Sequence, residues 1–511
     1  MNFRKRICLI LLLCLLLTGC SSTAQQQPSA TVPQCTAHTD VANDGFCDQC
    51  SQFLLVMVDF YTVNDIHGKL ADADTHPGLD ELSTYLTNAK ETDDHAIFLS
   101  AGDMWQGSSE SNLTKGLIMT DWMNEMGFSA MAMGNHEFDW GETPAEDNYT
   151  AAEFPLLAIN IYDRSTNQQV SYCKSSTMVD LGQIQIGIIG AIGDCYSSIA
   201  SDKVEDIYFK TGRDLTQLVK TESQKLRGEG ADFIVYLLHD GYGSNKTNTT
   251  SVSNSQIGSY YDASLSDGYV DLVFEGHTHK KYILTDSYGV YHLQGGGDND
   301  GISHVEIAIN IANGKSTVQE AELVSTMRYI NNEDHPIVDQ LMDKYSGKVS
   351  VGEKILGNNA VNRSNKYLHQ LVADLYYQKG VEYWGDRYDI ALGGGFLSAR
   401  DPGYLAAGEL TYKMLYSLFP FDNHLVLCSI KGRDLQSRFF RTSNDRYYIS
   451  YGSYGANLQN NIDPNATYYV VVDSYTSLYA PNNLTEIDRI DAEIFARDLL
   501  ADYALAGGFE N

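Results

Sequence analysis

The sequence predicts an α/β protein built of two globular parts behind a short amino-terminal segment, and three observations predict it. Short apolar runs at 54–58, 96–99, 130–133, 233–238 and 270–274 are each followed by glycine or a polar loop, as befits strands buried in a sheet covered on both faces. Amphipathic stretches such as 79–89 and 215–226 lie between them, and this alternation of strand and helix argues for layers. At 511 residues the chain exceeds what one core holds. A second part with its own apolar runs, including 425–430 and 468–472, is therefore expected from about residue 353.

The amino terminus comes first in order. Arg4-Lys5-Arg6 precedes an apolar stretch at 8–17, and Leu17-Thr18-Gly19-Cys20 follows at once. That stretch is too short to span a bilayer and reads as a signal peptide over 1–19. Its end resembles the bacterial lipobox, which implies cleavage before Cys20, lipid on the Cys20 thiol and an extracytoplasmic protein anchored to the cell membrane. The alternative is an ordinary secretory signal with an incidental cysteine. Residues 21–33, rich in Ser, Gln, Thr, Ala and Pro, read as a tether. Cys35 and His38, then Cys47 and Cys50, have the paired spacing of a small tetrahedral zinc site. A disulfide or a disordered stalk are the competing readings of this accessory module within 20–51. The loop of Asp40, Asn43 and Asp44 between the pairs can bind calcium weakly or simply turn.

The first globular part is expected over 52–333, a helical linker over 334–352 with Ile337, Leu341, Met342 and Tyr345 at helical spacing, and the second part over 353–511. The five runs of the first part close at Asp65-Ile66-His67, Gly102-Asp103, Gly134-Asn135-His136-Glu137, His239-Asp240 and Gly276-His277-Thr278-His279. Ligand-type side chains are thus expected to gather along one sheet edge, at the carboxyl ends of its strands. A sixth run at 184–192 carries none and reads as core. Taken singly, each cluster has a bland reading as a turn, a loop start or a helix cap. Together they supply an inner shell for two divalent ions. Such a pair, about 3.5–4 Å apart, can clamp a phosphoryl group, generate hydroxide and stabilise a leaving oxygen. Histidine nitrogens and carboxylate oxygens suit zinc, manganese or similar ions. A formal charge of −31 disfavours binding to a nucleic-acid polymer.

With these motifs in order, residues 54 to about 300 resemble the calcineurin-like metallophosphoesterase superfamily. Asp389-Ile390-Ala391-Leu392-Gly393-Gly394-Gly395, Gly408-Glu409-Leu410-Thr411-Tyr412 and Phe419-Pro420-Phe421-Asp422-Asn423 are similar to the carboxyl-terminal domain of the 5′-nucleotidase family. The resemblance implies a four-layer αββα sandwich followed by a smaller α/β (α+β) substrate-binding domain. It implies one metal on Asp65, His67, Asp103 and His279 and a second on Asp103, Asn135, His239 and His277, bridged by Asp103. His136 becomes the catalytic histidine and Asp139 its orienting partner, with Glu137 in support. Arg400 becomes the phosphate contact, and Phe421 with Tyr475 the clamp on a base. The implied activity is hydrolysis of nucleoside 5′-monophosphates by an exported phosphatase. Nucleotide-sugar (UDP-sugar) pyrophosphate cleavage and 2′,3′-cyclic phosphodiesterase with 3′-nucleotidase activity are the alternatives.

The chain also departs from the family pattern. Gly393 stands where Asn is usual, the arginine is delayed to Arg400, and the later Gly-Gly-Asp-Gly is missing near 479–483, with Arg363 and Asn365 as loosely aligned compensators. A non-catalytic surface binding protein would lack a ligand or His136, and neither is lacking. His76, His95 and His292 read as surface or structural, and Cys173, Cys195 and Cys428 as small buried hydrophobes.

Overall fold

The structure is a computed structural model that describes residues 35, 38–71, 77–242, 261–299, 301–326, 335–397, 399–400, 402–440, 447–451, 458–479, 483–490 and 494–510. The signal peptide, Cys20, the tether and His76 lie outside the described residues. The chain divides after Leu54 into two compact units. The first contains the Cys/His segment, in which Phe46 and Phe53 form an isolated antiparallel bridge. No helix among the described residues is long and apolar enough to cross a membrane.

The second unit contains both globular parts. Strands β1 (Leu55–Val63), β2 (Ala96–Ser100), β3 (Ala130–Ala132), β4 (Leu156–Leu157), β5 (Ser176–Asp180), β6 (Gln185–Ile192), β7 (Phe233–His239), β8 (Leu272–Glu275), β9 (Lys281–Thr285), β10 (Tyr291–Gly295), β11 (Ile302–Asn310) and β12 (Ser316–Val324) form two six-stranded sheets. Their orders are β12-β11-β1-β2-β3-β4 and β9-β10-β8-β7-β6-β5. Pairing is parallel through β1-β2-β3-β4 and through β10-β8-β7-β6, with antiparallel strands at the edges.

Alternation along the strands builds the layers. Val58 and Phe60 of β1, Leu99 of β2, Val235 of β7 and Phe274 of β8 meet in the core between the sheets, where the Phe60 ring lies 6.0 Å from Phe233 and 6.3 Å from Phe274. The outer face of the first sheet is covered by helices Leu79–Thr92, Leu117–Met126 and Pro336–Val349 through Leu82, Leu86, Trp122, Ile337 and Leu341. Helix Gly212–Gly228 covers the second sheet through Leu215, Val219 and Leu226. The result is the four-layer αββα sandwich. Helix Pro336–Val349, expected as a linker, buries its apolar face against this first part, and Lys344 and Tyr345 both reach Asp121.

One expectation is corrected. The ligand-bearing strands do not share one sheet edge: β1, β2 and β3 belong to the first sheet, β7 and β8 to the second. An apolar run reports burial but not which sheet receives it. The ligands converge because the carboxyl ends of the parallel strands of both sheets open at the same end of the sandwich.

In the second part, β13 (Ile390–Phe396), β14 (Leu425–Lys431), β15 (Tyr447–Tyr451), β16 (Thr467–Asp473) and β17 (Thr485–Arg489) form a sheet of order β15-β13-β16-β14-β17. Helix Asn365–Trp384 covers one face through Leu368, Val372 and Tyr376, and helix Gly432–Phe439 packs Leu435 on the other. A Cβ at Gly393 would stand 2.3 Å from the backbone nitrogen of Tyr377. Close approach of that helix to β13 explains why glycine occupies the position where the family pattern has asparagine.

Candidate active site

Each ligand-type residue follows a strand whose burial leaves only the loop beyond it free to carry polar groups. Asp65, His67, Asp103, His277 and His279 all adopt positive φ, between 52° and 69°. Left-handed backbone is rare outside glycine and clusters at functional sites, where surrounding structure holds it. Here it turns the chain sharply beyond β1, β2 and β8. Glycines make room beside them: a Cβ at Gly134 would lie 2.2 Å from Asp103 Oδ1, so that loop can pass the carboxylate only without a side chain.

The side chains converge as the sequence expects of a donor set. His67 Nε2 and His279 Nε2 stand 3.1 Å apart, and His279 Nε2 lies 3.5 Å from Asp65 Oδ1. His239 Nε2 approaches Asp103 Oδ2 at 3.1 Å, and His277 Nδ1 meets Asn135 Oδ1 at 3.0 Å. Asp65, Asp103 and His239 are all buried and mutually close enough to share an ion; Asp65, His67 and His279 are equally close, with His279 exposed. Backbone carbonyls fix the rings: His67 Nδ1 faces Gln106 O at 2.9 Å and His239 Nδ1 faces Ala101 O at 2.6 Å, leaving each Nε2 for the centre. His239 Nε2 is buried and makes no well-directed hydrogen bond, although Asp103 Oδ2 lies 3.1 Å away. A buried, carbonyl-oriented nitrogen without a well-directed partner, beside carboxylates, is what a bound cation would satisfy. The donor set of imidazole, carboxylate and one amide oxygen fits divalent zinc or manganese.

The electrostatics agree. Burial opposes ionisation of Asp103, but His239, His136 and His67 outweigh it and hold the carboxyl well below the usual range. Burial, with the Asp103 charge nearby, raises Asp65. Glu137, whose carboxylate accepts from the amides of Asp103, Met104, Trp105 and Gly134, splints the two loops and belongs to none of the candidate ligand clusters among the described residues.

His136 follows its own logic. Its Nδ1 pairs with Asp139 Oδ2 at 2.7 Å, and its amide donates to Asp103 Oδ1 at 2.9 Å. Burial would depress the imidazole, but Asp139 and Asp103 prevail and raise it to about 9. With Nδ1 committed, Nε2 is the atom that can present a proton.

Asp103, Asn135, His136, Asp139, His277 and His279 line a cavity of about 380 Å³, and Arg400, Phe421 and Tyr475 of the second part line it too. The Phe421 ring stacks over His136 with centroids 6.0 Å apart, and the Arg400 guanidinium lies 4.8 Å from the Phe421 ring centroid. Arg363 instead engages Asn359 and the Tyr367 ring, and does not line this cavity. His95 and His292 are structural, the first on Met57 O and the second buried against Glu275.

Several contributors escape sequence reading. Asn64 donates to Asp65 Oδ2 at 2.6 Å. Cys195 sits beside His239 and His277, its thiol donating to His239 O. Buried Arg497 grips Asp422 and the carbonyl of Phe421, while Lys115 of the first part reaches Asp422 at 2.7 Å, so the loop carrying Phe421 is pinned from both sides. The only signal for these is the Asp422 charge within Phe419-Pro420-Phe421-Asp422-Asn423.

A two-sheet sandwich with this donor set defines a metal-dependent phosphoester hydrolase. Residues 60–281 match the calcineurin-like phosphoesterase family and residues 347–480 match the 5′-nucleotidase carboxyl-terminal domain. The chain belongs to the 5′-nucleotidase family. Protein UshA of Yersinia enterocolitica is 25% identical over 75% of this chain and 77% of its own length. An apyrase of Tabanus yao is 24% identical over 74% of the chain and 72% of its own length. The crystal structure of a 5′-nucleotidase precursor from Thermus thermophilus superposes with a TM-score of 0.65 at 19% identity, covering 88% of this chain and 96% of that one.

Proposed function

We propose that this chain is an exported, lipid-anchored phosphatase that uses two divalent metal ions to hydrolyse nucleoside 5′-monophosphates to nucleoside and phosphate. The observation that carries the reading is the shared cavity, in which the donor cluster and His136 face Arg400, Phe421 and Tyr475. When bound, the ions supply charge that polarises the phosphoryl oxygens and acidifies the attacking water. Asp65, His67, Asp103 and His279 would hold one ion and Asp103, Asn135, His239 and His277 the other. The guanidinium of Arg400 holds phosphate oxygens through paired N–H donors. Phe421 and Tyr475 take the flat faces of the base, a contact that is sequence-tolerant and strong. His136, protonated at neutral pH by virtue of Asp139, stabilises charge on the leaving oxygen or donates the Nε2 proton to it. The basic amino terminus, short apolar run and Cys20 support export and anchoring.

The test is a substrate panel on the metal-reconstituted protein with AMP, UDP-glucose and 2′,3′-cyclic AMP. Metal-dependent phosphate release is expected from AMP, and its absence refutes the choice of substrate. His136→Ala should abolish hydrolysis while metal content persists, and Cys20→Ala should move the protein from the membrane to the soluble fraction.

A further inference from the structure

The first unit holds four side chains that the phosphatase chemistry does not use. Cys35 and Cys47 bring their sulfurs to 3.7 Å, and Cys50 Sγ stands 3.7 Å from His38 Nδ1. All four donor atoms lie within 4.8 Å of one another. A tetrahedral zinc with Zn–S of about 2.3 Å and Zn–N of about 2.0–2.1 Å requires S···S edges of about 3.8 Å and S···N edges of about 3.6 Å. Two independent edges of the observed set match those lengths.

The segment also lacks the means to hold itself together otherwise. Among its described residues only Cys47 and Leu54 are buried apolar side chains, while Val41, Phe46 and Phe53 are exposed. So short a stretch without a core needs a covalent or metal staple to be ordered. What it does have is a set of turns that aim the ligands. Asp40 accepts from the amides of Asp44 and Gly45, Asp48 N bonds to Thr39 O, and Ser51 N bonds to Cys47 O. The Cys47–Cys50 turn thus faces the segment that carries His38.

We propose that Cys35, His38, Cys47 and Cys50 bind one structural zinc ion, separate from the catalytic centre, and that this ion organises the segment between the tether and the enzyme. A disulfide within the set would use two of the four residues and leave the convergence of the other two without purpose. The four-ligand set is closed, so the ion takes no part in hydrolysis.

The test compares the full chain with Cys47→Ser and His38→Ala variants, all purified without chelator. Elemental analysis should give one more zinc per wild-type chain than per variant, and steady-state phosphate release should be equal in all three, which also reports that each is folded. Reconstitution with cobalt should give the wild type an intense near-ultraviolet thiolate charge-transfer band that Cys47→Ser loses. Equal zinc in wild type and variants, a charge-transfer band that persists in Cys47→Ser, or a disulfide within the set in the protein as isolated would each overturn the proposal.

Discussion

Replacing Asp139 by asparagine should make hydrolysis fail selectively at alkaline pH with poor leaving groups. The amide oxygen of asparagine can still accept from His136 Nδ1, so the ring stays oriented, but the charge that raises its pKa is gone. His136 stands at about 9 against burial because of Asp139 and Asp103. Removing the larger acidic influence leaves Asp103 against burial and the Arg400 charge, so the group falls; a fall to the ordinary imidazole value of about 6.5 sets the scale. At pH 8 the protonated fraction then falls from roughly 0.9 to roughly 0.03, about 30-fold, whereas at pH 6 it falls only by about a quarter. The assay is kcat/KM for a nucleoside monophosphate and for p-nitrophenyl phosphate, whose leaving group departs without a proton, at pH 6 and pH 8. The wild-type to variant ratio should grow about 20- to 30-fold between the two pH values for the nucleotide and stay flat for the aryl ester. Effects of pH on the metals and the nucleophile cancel in that ratio. A nucleotide ratio that does not change with pH would refute the protonated-histidine reasoning and leave Asp139 as a purely orienting group.

Other expectations follow from individual contacts. Phe421→Ala removes a base-stacking face worth about 1–3 kcal/mol, so KM for nucleotides should rise roughly 5- to 150-fold while p-nitrophenyl phosphate kinetics hold steady. Gly134→Ala sets a methyl 2.2 Å from Asp103 Oδ1, and elemental analysis should find the catalytic metals depleted in that variant with the fold retained by circular dichroism. Phe60→Ala opens a hole between the two sheets and should cost about 3–5 kcal/mol in denaturant unfolding. Burial would lower His304, but Asp59, 2.8 Å away, and Glu322 raise it. A raised folded-state pKa makes the pair's stabilisation complete below the unfolded value of about 6.5 and lost as pH rises through the folded value. The Tm difference between wild type and His304→Gln should therefore be largest near pH 6 and shrink by pH 9.

The convergence of these donor-type side chains was legible because their motifs are local: each cluster spans a few residues behind an apolar run. The length of β1 was not. Asp59 and Thr62 interrupt its apolar pattern, yet the strand continues to Val63 because Asp59 finds His304 across the sheet, a partner 245 residues away. The division of the ligands between two sheets was hidden for a related reason, since burial looks alike in either. The carbonyls of Ala101 and Gln106 that aim the histidines have no side-chain signature at all. The grip of Arg497 on the Phe421 loop joins residues about 75 apart with no shared motif. What propagates through the chain fold is invisible to a reading by segments, and these are the places where it decides the geometry.

The left-handed turns at Asp65, His67, Asp103, His277 and His279 have a consequence for any library built on this enzyme. A substitute must satisfy two filters at once, donor chemistry and local handedness of the chain. Asparagine at Asp65 or Asp103 passes the second filter, because it visits this backbone region readily. β-branched replacements fail it before chemistry is even asked, so the map of tolerated residues at these five sites should follow backbone preference as closely as metal affinity.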